Sequence, residues 1–176
     1  MANINEIHGD IFKSKMQTIV NTVNCFGIMG KGIALEFKNR YPEMFEIYQK
    51  QCNEKIIKPG ILYLYKKSNP WILNFPTKNH WRNPSKLEYI KLGLEKFSDS
   101  YKSKGIHSVA FPKLGTQNGG LNWEEVKTLM YEYLLPLKNL EVEIYHYLNE
   151  KVESIQYEKN KVFENPVVFD FKNKKS

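Results

Sequence analysis

The chain is poor in cysteine. Its two thiols, Cys25 and Cys52, can build neither a disulfide framework nor a metal-ligand cluster, and a reducing, cytoplasmic setting is expected. No apolar run approaches the ~20 residues that span a bilayer. The opening Met1-Ala2-Asn3-Ile4-Asn5-Glu6 lacks the basic stretch and apolar core of a secretory signal, so no membrane association is expected. HExxH, CxxC and nucleophile-elbow motifs are missing, which argues against zinc-protease, dithiol and serine-hydrolase chemistry. His8, His107 and His146 lie in strand-like runs without paired ligands and read as packing residues rather than metal ligands. Acid is outweighed by base: 26 Lys and Arg against 19 Asp and Glu give a net charge of +7, which favours phosphate-bearing or nucleic-acid partners without specifying one.

What is present is a set of short apolar runs alternating with helical patterns. Ile4 to Phe12, Thr18 to Asn24, Ile61 to Tyr65, Trp71 to Phe75, Ser108 to Phe111 and Leu140 to Tyr147 read as strands. Lys31 to Tyr41 carries Ile33, Ala34, Phe37 and Tyr41 at helical spacing, and Pro42 restarts a helix through Met44, Phe45, Ile47 and Tyr48. Ser85 with Glu88 reads as a capping box opening a helix through Leu87, Ile90, Leu94 and Phe97. Asn122 is placed to cap a helix through Val126, Leu129, Met130 and Tyr133, with Glu124 and Glu125 favourable in its first turn. This alternation predicts a three-layer α/β/α fold around a mixed, largely parallel sheet. Residues 1–150 form one domain in this reading. Residues 151–176 are an extension packing on it or adding to it, with Val167 to Phe171 a candidate edge strand.

Two glycine-rich segments each leave a strand and run toward a helix: Asn24-Cys25-Phe26-Gly27-Ile28-Met29-Gly30-Lys31-Gly32 and Gly115-Thr116-Gln117-Asn118-Gly119-Gly120-Leu121. At such junctions backbone N–H groups can approach phosphate oxygens, so the pair could hold a diphosphate from both sides. Neither has the Walker A or Rossmann spacing. Gly9-Asp10-Ile11 closes the first strand, where a carboxylate can accept from an exocyclic amine or simply bond its own turn. Phe75-Pro76-Thr77-Lys78-Asn79-His80-Trp81-Arg82 is the densest chemical cluster. Lys78 is there either a solvated surface lysine, which the residue types alone favour, or an amine made nucleophilic by desolvation. Trp81 could stack on a base.

Taken together, Gly9-Asp10-Ile11, Val20 to Asn24, Gly30-Lys31-Gly32-Ile33-Ala34 and Leu114 to Trp123 resemble the macrodomain family over residues 3 to about 148. The segments Asn24 to Ala34 and Asn74 to Arg82 look more specific. They resemble the branch containing the DNA ADP-ribosyl glycohydrolases of the DarG type and the terminal ADP-ribose protein glycohydrolases. The resemblance implies release of ADP-ribose from a modified acceptor, foremost a thymidine base in DNA. The alternatives are a glutamate ester on protein, O-acyl-ADP-ribose, or ADP-ribose binding without hydrolysis. It implies that Asp10 and Ile11 hold adenine and that Asn24 lies near the distal ribose. Gly30, Lys31 and Gly32 would line one side of the diphosphate, and Gly115, Thr116, Gln117, Asn118, Gly119, Gly120 and Leu121 the other. Asn21, Ile33 and Thr77 belong to the same ligand-binding set, and Lys78 is the catalytic lysine. ADP-ribose is ligand and product, with no separate cofactor. A cognate ADP-ribosyltransferase is an expected partner, and the protein is expected to be a monomer. Thr116, Gln117 and Asn122 depart from the Gly-Cys-Gly-Asn-Gly-Gly-Leu-Asp-Trp loop common in the DarG type. Gly119 stands about where the protein glycohydrolase carries a catalytic aspartate.

Overall fold

A computed structural model describes residues 1–147; the expected extension at 151–176, with its candidate strand, lies outside the described residues. The elements run β1 (Asn3–His8), β2 (Thr18–Asn24), α1 (Gly32–Arg40), α2 (Pro42–Asn53), β3 (Tyr63–Tyr65), β4 (Trp71–Lys78), α3 (Leu87–Ser100), β5 (Ser108–Pro112), α4 (Trp123–Leu134) and β6 (Glu141–His146). They form one six-stranded sheet in the order β1-β6-β5-β2-β4-β3. Every neighbouring pair is parallel except β3 with β4, so the sheet is mixed and largely parallel, as the alternation predicts.

Side-chain alternation along the strands explains the three layers. In β2, Ile19 and Val23 face one way and Val20 the other; in β5, Ala110 faces opposite to Val109 and Phe111. One face packs on Phe37 of α1 and on Met44, Tyr48 and Cys52 of α2. The other packs on Ile90, Leu94 and Phe97 of α3 and on Val126, Met130 and Leu134 of α4. Each buried Phe, Met, Ile, Leu or Val among them contributes about 1.5–3 kcal/mol by leaving water. The α3 contact is close: a Cβ at Gly93 would run into the Phe75 ring, so this helix approaches β4 only through a glycine.

The chain order fixes where a ligand can enter. From β2 the connection moves outward to β4 through α1 and α2. It then crosses back over β2 to β5 through α3 and continues the same way to β6 through α4. Right-handed crossovers running in opposite directions along a sheet leave their helices on opposite faces, which opens a crevice at the carboxyl ends of β2, β4 and β5.

Three local expectations are corrected. β1 ends at His8 instead of reaching Phe12, because the Asp10 carboxylate accepts from Phe12 N–H at 2.9 Å and caps a 3-10 turn at Ile11–Lys13. β4 continues past Phe75 to Lys78; Pro76 is tolerated because β3 pairs only with Ile72 to Asn74, leaving Pro76 no neighbour on that side. Ser85 does not cap α3, which starts at Leu87 with Lys86 at its cap position; its N–H donates instead to Gly119 O at 2.9 Å. Asn122 does cap α4, accepting from Glu125 N–H at 3.2 Å.

Candidate active site

The crevice holds a cavity of about 270 Å³ between the two glycine loops. A shallower depression adjoins it, and Lys31, Lys78, Trp81, Gln117, Asn118 and Gly119 line both. Its volume lies just below the roughly 300–1,000 Å³ typical of ligand pockets, and the depression extends it along the shared rim.

The first loop is organised by one side chain. Asn24 ends β2, and its Oδ1 accepts from the N–H groups of Phe26 at 2.9 Å and Gly27 at 3.1 Å, while its Nδ2 donates to Ile28 O at 2.6 Å. Tyr48 of α2 donates its hydroxyl to Asn24 O at 2.6 Å from below. Gly27 sits at φ +95° against Cys52 and Gln49, where a side chain would be strained and crowded. The loop then enters α1 with no side-chain cap, so the N–H groups of that first turn remain available to an anion in the crevice.

The second loop bonds to itself. Leu121 N–H donates to Gly115 O at 3.0 Å and Gly120 N–H to Gln117 O at 3.2 Å. Among the described residues no acceptor takes the N–H groups of Gln117, Asn118 and Gly119, which leaves a run of backbone donors at the cavity wall. Gly119 cannot carry a side chain, since a Cβ there would collide with Gly115 O and Ser85 Oγ. The loops meet where a Cβ at Gly32 would lie 2.7 Å from Asn118 Nδ2.

Lys78 sits at the junction of cavity and depression. A bulge puts it there: β4 pairs Pro76 with Val23 and then Lys78 with Asn24, leaving Thr77 as the extra residue. Its Nζ donates to Asn118 O at 2.7 Å. Burial, and then the positive charge of Lys31, holds the amine below the usual lysine range. The cavity therefore combines backbone donors for a polyanion with one desolvated amine.

Most of the sequence-predicted residues meet here. Asn24, Gly30, Lys31, Ile33, Thr77, Lys78 and Gly115 through Gly119 line the cavity, and Gly120 lines the depression. Gly32 and Leu121 support the loops from behind. Asn21 does not reach the cavity; it is fully buried and donates to Asn74 Oδ1 at 3.0 Å, tying β2 to β4. Asp10 and Ile11 stand at the end of β1 on the same rim, outside the main cavity, with Asp10 Oδ1 taken by its own turn. Sequence reasoning missed the part played by Thr22, Ile28, Ala34, Lys113 and Tyr147 in the lining; Lys113, directly after β5, could have been found from its place on the rim. His8 and His146 stack at 4.7 Å, and His146 bonds Glu6 at 2.8 Å. Among the described residues no group of three or more His, Cys, Asp or Glu side chains is placed to hold a metal ion.

A three-layer fold with two glycine loops closing on a crevice at the strand ends defines an α/β domain whose candidate site lies at strand-to-helix junctions. The chain belongs to the macro domain family, whose model matches residues 20–130. It is 44% identical over 141 residues to a Mycobacterium tuberculosis protein named DNA ADP-ribosyl glycohydrolase, a match covering 78% of this chain and 40% of that protein. The macrodomain of Thermus aquaticus DarG superposes with a TM-score of 0.79 at 37% identity, covering 83% of this chain and 99% of that one. Thermosipho africanus DarTG, solved in complex with ADP-ribose, gives a TM-score of 0.76 at 39% identity over 81% of this chain and 41% of that one. The chain spans about two fifths of the length of the curated relatives it matches. Among the described residues no helix is long and apolar enough to cross a membrane.

Proposed function

We propose that this domain binds ADP-ribose and hydrolyses its link to a modified acceptor, a thymine base in DNA, with Lys78 as the reacting group. The observation that carries this reading is the position of the Lys78 amine, partly desolvated and 2.7 Å from Asn118 O on the loop whose free N–H groups suit a diphosphate. The names of the relatives at 37–44% identity support the DNA acceptor.

The reading assigns the diphosphate to the N–H groups of the first turn of α1 and of Gln117 to Gly119, dipoles already in place before substrate arrives. It gives the adenine to Asp10 Oδ2 and the backbone at Ile11. The distal ribose then lies toward Lys78. The neutral amine attacks the anomeric carbon; a C–N bond forms to Nζ, the glycosidic bond breaks, and its electron pair passes to the base, which takes the proton released by the new ammonium. Water then adds at the same carbon and gives a proton to Nζ as the C–N bond breaks, which restores the neutral Lys78. A modified base requires an enzyme that installs ADP-ribose, so a cognate ADP-ribosyltransferase is the partner this function calls for.

The test compares release of ADP-ribose from a thymidine-modified oligonucleotide with release from a glutamate-modified protein, with Lys78→Ala as control. Release from the oligonucleotide that depends on Lys78 supports the proposal. Faster release from the protein substrate would move the acceptor to a carboxylate. Calorimetric binding of ADP-ribose without release from either would reduce the domain to a reader.

A further inference from the structure

The lip of the site carries aromatic rings that the ADP-ribose reading does not use. Phe26 is 54% exposed, although a ring of that size usually packs away. It is held outward, because its N–H and that of Gly27 both donate to Asn24 Oδ1 and Gly27 is wedged against α2. Its ring meets His80 at 4.6 Å, His80 lies near-parallel to Trp81 at 5.8 Å, and the Arg82 guanidinium sits 4.6 Å over the Trp81 ring. His80 is fixed in turn by Arg82 N–H, which donates to its Nδ1 at 3.2 Å. Three rings and a guanidinium thus form a continuous ledge, and Trp81 and Arg82 carry it into the depression beside Lys78.

The charge around this ledge is one-sided. Three segments around the ledge, residues 11–35, 55–87 and 100–123, contain no Asp or Glu, whereas Lys31, Lys78, Arg82 and Lys113 all lie in them; Asp10, at the end of β1, is the acid next along the rim, with Oδ1 bonded in its own turn. Cations without acids suit a polyanion. Flat rings among them suit the faces of bases, which a duplex hides and a single strand presents. An acidic peptide would match the charge and leave the rings without a purpose.

We propose that the Phe26–His80–Trp81–Arg82 ledge is a stacking platform for unpaired nucleotides flanking the modified base, so that the enzyme engages its acceptor as a single strand. This rests on the pocket being an ADP-ribosyl-thymine site and adds a second binding surface to it.

Fluorescence anisotropy with an unmodified, labelled oligothymidylate of about eight nucleotides tests the ledge without any turnover. Expected are binding that weakens with salt, weaker binding of a duplex of the same length, and a loss of about fivefold or more in Phe26→Ala. Phe26→Tyr, which keeps the ring, should restore affinity, and Arg82→Gln should flatten the log–log salt slope by about one. Absence of strand binding, equal affinity for duplex, wild-type affinity in Phe26→Ala, or equal Phe26-dependent binding of a glutamate octapeptide would each overturn the proposal. Release of ADP-ribose from the modified nucleoside alone, which has no flanking nucleotide, reports on the pocket independently. Release without strand binding removes the ledge only; strand binding without release removes the hydrolase reading only.

Discussion

The Lys78 amine donates to the carbonyl oxygen of Asn118 at 2.7 Å, joining the end of β4 to the middle of the second glycine loop. A carbonyl accepts from an amine in either protonation state, so this bond orients Nζ without fixing its charge. Burial and Lys31 act on the charge, and both favour the neutral form.

Lys78→Ala should lower ADP-ribose release by about a hundredfold or more, the scale on which removing one group that acts on the reacting atoms is felt. ADP-ribose affinity by calorimetry should stay close to wild type, since backbone donors hold the diphosphate. Lys78→Arg should fail equally, because a guanidinium keeps its charge throughout the working pH range. A Lys78→Arg enzyme with wild-type turnover would rule out attack by a neutral amine.

The pH profile follows from the same amine. Under the proposed attack by the neutral amine, kcat/KM should rise with pH and level off above the Lys78 pKa, which lies below the ordinary lysine value of 10.5. Lys31→Gln removes the like charge that helps to depress it, so the midpoint of the rise should move to higher pH. A midpoint unchanged or shifted downward in Lys31→Gln would contradict this electrostatic account.

Gly119→Ala should displace the second loop, because its methyl group would enter the space held by Gly115 O and Ser85 Oγ. Overpacking of this kind costs about 1–3 kcal/mol. ADP-ribose affinity should fall with it, since the free N–H groups at Gln117 to Gly119 depend on the loop's shape. Calorimetry alongside thermal unfolding checks both.

How much of this could be read from residues alone depends on whether the cause is local. The order of strands and helices was legible because β2 and β5 announce themselves as short apolar runs and α4 by its helical spacing, and the Asn122 cap by its acidic first turn. The glycine loops were legible because strand-to-helix junctions rich in glycine have a short list of uses. Ser85 misled for a physical reason: the S-x-x-E pattern is there, but the loop at Gly119 captures its backbone first. Asn21 and Asn24 show the same limit. Both place an amide in the apolar strand β2, yet Asn21, in mid-strand, ties two strands together inside the core and Asn24, at its end, folds a loop, and only the three-dimensional neighbours decide which.

Asn24→Ala should therefore act first on stability. It leaves the N–H groups of Phe26 and Gly27 without their acceptor, at a cost of about 1–3 kcal/mol for each donor left buried. Urea unfolding should show the loss, and the first loop should become the earliest segment to exchange its amide hydrogens.

Away from the site, Glu6 gives a pH signature. Burial alone would raise its pKa, but hydrogen bonds from Lys127, His146 and Tyr131, with the charge of Lys127, outweigh this and hold it at about 2. A carboxylate depressed on folding stabilises the fold above its ordinary value near 4.5, and that contribution is lost as pH falls toward 2. Glu6→Gln should thus melt below wild type at pH 7, with the gap closing across that window. A constant gap from pH 7 to pH 2 would show that the carboxylate's charge is not the cause.

The bulge at Thr77 makes the chemistry a matter of parity. Side chains along a strand point alternately to its two faces, so the single extra residue between Pro76 and Lys78 decides which face the amine takes. The bulge absorbs one step of that alternation, so Thr77 and Lys78 both oppose Asn24 and both line the cavity. A straight strand of the same sequence would give the cavity one of these two side chains and turn the other away, so related sequences should be compared for the bulge as well as for the lysine.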